Sequence, residues 1–110
     1  MDIFDEKRAN QRKLTSLYTN ILAVESQDVV IGECLMTDVC EYGFAIETEQ
    51  KFSINQKILL KISLLNEVVY LAGEIVRFDK GYLYPLYGVK ICEEDCRNLN
   101  IFREYINYHL

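Results

Sequence analysis

Lys57-Ile58-Leu59-Leu60-Lys61-Ile62-Ser63-Leu64-Leu65, a break at Asn66-Glu67, and Val68-Val69-Tyr70-Leu71-Ala72-Gly73-Glu74-Ile75-Val76-Arg77-Phe78 form the stretch that decides the fold. Two runs rich in Ile, Leu and Val flank a two-residue polar break, the pattern of two strands joined by a tight hairpin. Similar short runs lie on both sides. Towards the N-terminus, residues 17–24 and 29–37 form candidate strands, the second with Cys34 and Met36 on one face and Glu33, Leu35 and Thr37 on the other. Asp38 to Tyr42 is read as the break after it, and Gly43 opens the short run Phe44-Ala45-Ile46-Glu47. Residues 51–56 connect to the central hairpin, with Asn55 suited to a left-handed turn position. Beyond the hairpin, residues 79–85 form a turn region containing Gly81, and residues 86–92 the last strand.

The period then changes. Leu99, Phe102, Ile106 and Leu110, joined by Tyr105, recur at helical spacing and predict an apolar stripe on a helix over about residues 96–109. Glu93, Glu94 and Asp95 precede it, where acids suit the positive end of the helix dipole. The expectation is an all-β domain with a terminal helix: a six-stranded antiparallel β-barrel, closed because closure removes exposed sheet edges. Periodicity leaves the strand order open.

Composition narrows the function. The 110 residues are 50% hydrophobic and 26% charged, the profile of one globular domain. Twelve bases face seventeen acids, a net of −5, and four of those bases (Lys7, Arg8, Arg12, Lys13) fall within the first thirteen residues. The remaining chain therefore holds eight bases against fourteen acids. A polymeric nucleic acid needs many phosphates neutralised over a wide face, so this distribution suits a small anion instead. The longest apolar run, Val68 to Ala72, is far below a membrane span, and the acidic first residues are unlike a secretory leader. A soluble, cytoplasmic protein without membrane insertion is expected. Residues 1–13 are expected to form a flexible arm and residues 14–110 the barrel and its helix.

Catalysis has no visible carrier. There is no phosphate-binding glycine loop, no serine elbow and no paired metal-ligand motif, and the one histidine, His109, sits in the last turn of the predicted helix. Cys34, Cys40, Cys92 and Cys96 lack the paired knuckle spacing of zinc sites and the secretory setting of disulfides. The chain is read as a non-enzyme without metal or cofactor. A small enzyme or zinc protein using the cysteines is the reading these spacings disfavour.

Two segments carry chemistry. In Arg8-Ala9-Asn10-Gln11-Arg12, two arginines four residues apart offer planar donor forks that match a phosphate or the O6/N7 edge of guanine. In Asp38-Val39-Cys40-Glu41-Tyr42-Gly43, an ionised Asp38 could accept from the N1–H and N2–H2 edge of guanine. Gly43 would let the backbone pass close to a flat ligand or take a positive φ. The plain alternatives are a solvated arginine arm, an Asp/Gly turn, and a core thiol at Cys40.

These residues also resemble a family. R-x3-R, followed after a strand pair by D-x-S-x-x-G, is similar to the motif set of the PilZ domain, a bacterial receptor for cyclic di-GMP. Leu71-Ala72-Gly73-Glu74-Ile75-Val76-Arg77 and Tyr87-Gly88-Val89-Lys90-Ile91 resemble two of its strands, and the likeness covers about residues 7–108. It implies a PilZ-like barrel in which Arg8 and Arg12 hold phosphate and guanine, Asp38 reads a guanine edge, and Gly43 takes the motif glycine's place. Cys40 stands where the family has serine, and a thiol is the weaker hydrogen-bonding group. Asn55 replaces a glycine often found ahead of the fourth strand. The implied function is a cyclic di-GMP receptor with a downstream protein partner. The alternative is an adaptor that has lost the ligand and works through protein contacts.

Overall fold

The computed structural model describes residues 13–81, 83–92 and 96–110, the side chains of Gln27 and Cys96 excepted. The expected capping acids Glu93, Glu94 and Asp95, and Tyr82, lie outside the described residues. Six strands appear in chain order: β1 (Lys13–Ala23), β2 (Ser26–Cys40), β3 (Gly43–Glu47), β4 (Lys57–Leu64), β5 (Glu67–Asp79) and β6 (Leu86–Ile91). A helix, α1 (Cys96–His109), follows. The strands close into an antiparallel barrel in the order β1-β2-β3-β6-β5-β4. The expected architecture is the observed one.

Alternation builds the interior. Ile58, Leu60, Ile62 and Leu64 of β4 face inward, as do Val69, Leu71 and Ile75 of β5. Tyr87 is buried, and its hydroxyl accepts a 3.0 Å hydrogen bond from the Phe52 amide, tying the 48–56 connection to β6. Asn55 takes the left-handed conformation expected of it, with φ at 72°. Its amide donates to the Ile75 carbonyl at 2.7 Å. Cys34 lies within the core cluster, and burial pushes its thiol up from 9.0 to about 12. It is a neutral packing group at physiological pH.

The helix caps one end of the barrel. Leu99, Phe102 and Ile106 are buried in the core cluster, with Phe102 edge-on to Phe44 at 6.2 Å between ring centres. Leu110 falls beyond the helix and is 37% exposed, so the predicted stripe ends at Ile106. Asn98 Oδ1 accepts from the Tyr70 amide at 2.9 Å, fixing α1 to β5. At the other end of α1, Lys13 Nζ donates to the carbonyls of Ile106 (2.8 Å) and Leu110 (3.2 Å). A cation there satisfies carbonyls that the helix leaves unpaired and complements its negative end.

Several boundaries differ from the sequence reading. β1 begins at Lys13 rather than at residue 17, so Lys13 belongs to the barrel and not to the expected arm, and β2 begins at Ser26 rather than at residue 29, leaving Val24-Glu25 as the turn between them. The β4–β5 turn is Leu65-Asn66, with Leu64 opposite Glu67, one residue earlier than expected. More consequentially, β2 does not stop before Asp38 but continues to Cys40, and only Glu41-Tyr42 form the turn into β3. Asp38 is a strand residue. Asp38 and Gly43, a turn-favouring acid and glycine, suggested that the break spans the whole segment between them, whereas cross-strand pairing to both β1 and β3 extends the strand through Cys40.

Candidate functional site

A β-bulge decides where Asp38 points. Cys34 and Met36 face the core, so Asp38, two residues on, would be carried inward by simple alternation. Between Met36 and Asp38, however, β2 holds one residue more than β3 opposite it: Met36 pairs with Ile46 and Asp38 with Ala45. The extra residue reverses the faces, so that Val39 enters the core and Asp38 and Cys40 turn outward. An acid is thereby kept off the barrel interior, where an unpaired carboxylate would cost several kcal/mol.

Cross-strand register then lays out the outer surface in rows. Asp38 is opposite Ala45, Ala45 opposite Gly88, and Gly88 opposite Arg77. In the adjacent row, Cys40 is opposite Gly43, Gly43 opposite Lys90, and Lys90 opposite Glu74. Phe44, Val89 and Tyr87 on the intervening positions point inward, which confirms that both rows face out. Asp38, Cys40 and Gly43 are thus brought together on one patch of β2 and β3. Cys40 is only 7% exposed yet is not part of the core cluster, so it is a covered outer-face thiol rather than an interior one.

Gly43 has a structural reason of its own. A Cβ at this position would lie 2.4 Å from the carbonyl oxygen of Val89 in β6, and its φ is not positive. The glycine permits close strand pairing; the positive-φ reading is corrected. Gly43→Ala should therefore destabilise the barrel by about 1–3 kcal/mol through forced overpacking against backbone. A urea midpoint lowered with an unchanged m-value is the expected measurement, and a wild-type midpoint would contradict it.

The hairpin tip is braced by α1. Arg103 Nε donates to the Glu41 carbonyl at 3.1 Å, and its guanidinium carbon lies 5.9 Å from the centre of the Tyr42 ring. Nothing in the sequence connects Arg103 with residues 41–42, which lie more than sixty positions away. The arginine motif residues Arg8 and Arg12 lie outside the described residues. What is described is the junction that follows them: Lys13 pairs with Val39 and Leu14 with Asp38, so the strand continuing from the arginine segment lies directly beside the strand bearing the acid.

Among the described residues no cluster of histidine, cysteine or acidic side chains could hold a metal ion, and no helix is long and apolar enough to cross a membrane.

The PilZ domain model matches residues 6–108, and the chain belongs to that family. Solved structures agree on the fold. The PilZ domain of CeSA from a cellulose-synthesizing bacterium superposes with a TM-score of 0.69 at 12% identity, covering 89% of this chain and 99% of that one. The Bacillus subtilis inhibitor of motility, MotI/DgrA, gives 0.64 at 14% identity, covering 90% of this chain and 51% of that one. No curated protein matches the chain. PilZ domains are generally cyclic di-GMP-binding and adaptor domains, not catalysts.

Proposed function

We propose that the chain is a non-catalytic receptor for cyclic di-GMP, held between an arginine arm over residues 1–12 and the outer face of β2 and β3, which passes its bound state to a partner protein. The observation that carries this reading is the pairing of Leu14 with Asp38 and of Lys13 with Val39. Arg12 directly precedes Lys13, and Arg8 is five residues before it, a tether of at most roughly 18 Å when extended. The row from Asp38 to Arg77 crosses four strands, about 14 Å between its outer Cα atoms at ordinary strand spacing. Both arginines are therefore within reach of any ligand that lies on that row. Arginine forks would meet phosphate and guanine while Asp38 accepts from the guanine N–H edge. Asp38 faces outward to do so only because of the bulge.

Calorimetric titration of the whole chain with cyclic di-GMP tests the proposal; a saturable heat at one or two ligands per chain supports it. Absence of heat at high ligand concentration would turn the assignment to the adaptor reading, which Cys40 in the serine position favours.

Cys40→Ser sharpens the distinction. Cys40 lies outside the core cluster, so serine should leave the melting temperature nearly unchanged and hold or improve affinity. A hydroxyl restores one hydrogen bond, about 0.5–1.5 kcal/mol, in almost the same volume. A lowered melting temperature with unchanged binding would assign Cys40 to packing alone.

A further inference from the structure

We propose that Arg77 is a further ligand-contacting residue of this face, its guanidinium forming a platform on which a purine base of the bound nucleotide stacks. The inference rests on the cyclic di-GMP reading and extends it to a residue outside both sequence motifs. Its first support is a second bulge. Ile75 of β5 faces the core, and simple alternation would send Arg77 inward as well. Between Ile75 and Arg77, β5 carries one residue more than β6, because Ile75 pairs with Val89 and Arg77 with Gly88. That bulge turns Arg77 outward, as the bulge in β2 turns Asp38 outward. The two reversals fall at the two ends of the same row, with the small residues Ala45 and Gly88 between them.

The second support is the posture of the side chain. A Cβ built on Gly88 would lie 3.2 Å from Arg77 Cβ, 3.3 Å from Cζ and 3.4 Å from Nε. The arginine therefore extends from β5 across β6 and lies down on the glycine backbone, directed along the row. Its Nε donates to Asp79 Oδ2 at 2.9 Å, which fixes the plane, and the side chain keeps 36% exposure. A guanidinium with one face on the sheet and one edge held by a carboxylate suits a flat ring. Its planar, weakly hydrated face stacks well. The adjacent Asp79 charge offsets its attraction for an anion, so a base fits this position better than a phosphate.

The test is titration of wild type, Arg77→Ala, Arg77→Lys and Gly88→Ala with cyclic di-GMP at low and high salt, with melting temperatures recorded alongside. Arg77→Ala should weaken binding about tenfold, the worth of one good cation–π or stacking contact. Its melting temperature should stay close to wild type, since its ion pair with Asp79 is solvent-exposed. Arg77→Lys keeps the charge without the plane and should bind nearly as poorly. Gly88→Ala displaces the guanidinium without removing it and should show a similar loss, which keeps the test open if an Arg77 variant folds badly. The deficit should persist at high salt, where a point-charge contact would be screened. Wild-type affinity in Arg77→Ala would overturn the assignment, and full recovery in Arg77→Lys would overturn stacking in favour of a phosphate contact. No binding by the wild type would overturn the receptor reading itself, and this inference with it.

Discussion

Arg8→Ala and Arg12→Ala should each lose most of the affinity for cyclic di-GMP while melting like the wild type. Both residues precede β1, which begins at Lys13, and the strand pairs of the barrel are made from Lys13 onward among the described residues. Each supplies charge-assisted hydrogen bonds to a phosphate or a guanine edge, worth about 1.5–3 kcal/mol apiece. Converted at 1.4 kcal/mol per decade, that is roughly a ten- to hundredfold loss for each substitution. Calorimetry paired with thermal melts separates the two quantities. Wild-type affinity in both variants would remove the arginine arm from the site; a large fall in melting temperature would give the segment a structural role instead.

Phe102→Ala should produce the largest change in stability. The ring is fully buried, sits edge-on to Phe44, and lies where α1 closes the barrel. Removing a buried aromatic ring leaves a cavity and costs about 3–5 kcal/mol. At about 4–8 °C per kcal/mol for a domain of this size, the melting temperature should fall by some tens of degrees. Phe44 directly follows Gly43, so the cavity opens behind the β2–β3 hairpin that carries the candidate site. Below the lowered transition, ligand affinity should still be close to wild type, because the outward residues of that hairpin are untouched. A variant that melts normally would show that α1 contributes little to closing the barrel.

The barrel was legible in the sequence because its inward positions alternate without ambiguity in β4 and β5, and because Leu99, Phe102 and Ile106 recur at a different period. Asn55 announced its own left-handed turn. The local reading failed where pairing partners decide the outcome. Nothing in Met36-Thr37-Asp38 or Ile75-Val76-Arg77 marks a bulge, since each is created by the count of residues on the strand opposite. For the same reason Asp38 looked like part of a turn although it sits in a strand. Gly43 was recognised as special, but the carbonyl that demands it belongs to Val89, 46 positions further along the chain. The second motif named Asp38, Cys40 and Gly43, which the register gathers on one outer patch, whereas Arg77 falls in the same row as Asp38 only through the register of β5 on β6.

The contact of Lys13 with the carbonyls of Ile106 and Leu110 has a topological consequence. The side chain of Lys13, the first residue of β1, reaches the Leu110 carbonyl at 3.2 Å, so the path from β1 to the end of α1 returns close to where the barrel begins. Where the chain is cut matters less to such a fold than that every neighbouring pair of strands survives. A version opened at the exposed Leu65-Asn66 turn, with Leu110 joined to Met1 so that residues 1–12 become the connection to β1, retains all six strand pairings, including β4 with β5. The entropic cost of relocating the break changes only with the logarithm of loop length. Such a permutant should fold to the same barrel and give a wild-type-like near-ultraviolet circular dichroism spectrum, and a molten or aggregated product would show that the β4–β5 turn itself organises folding.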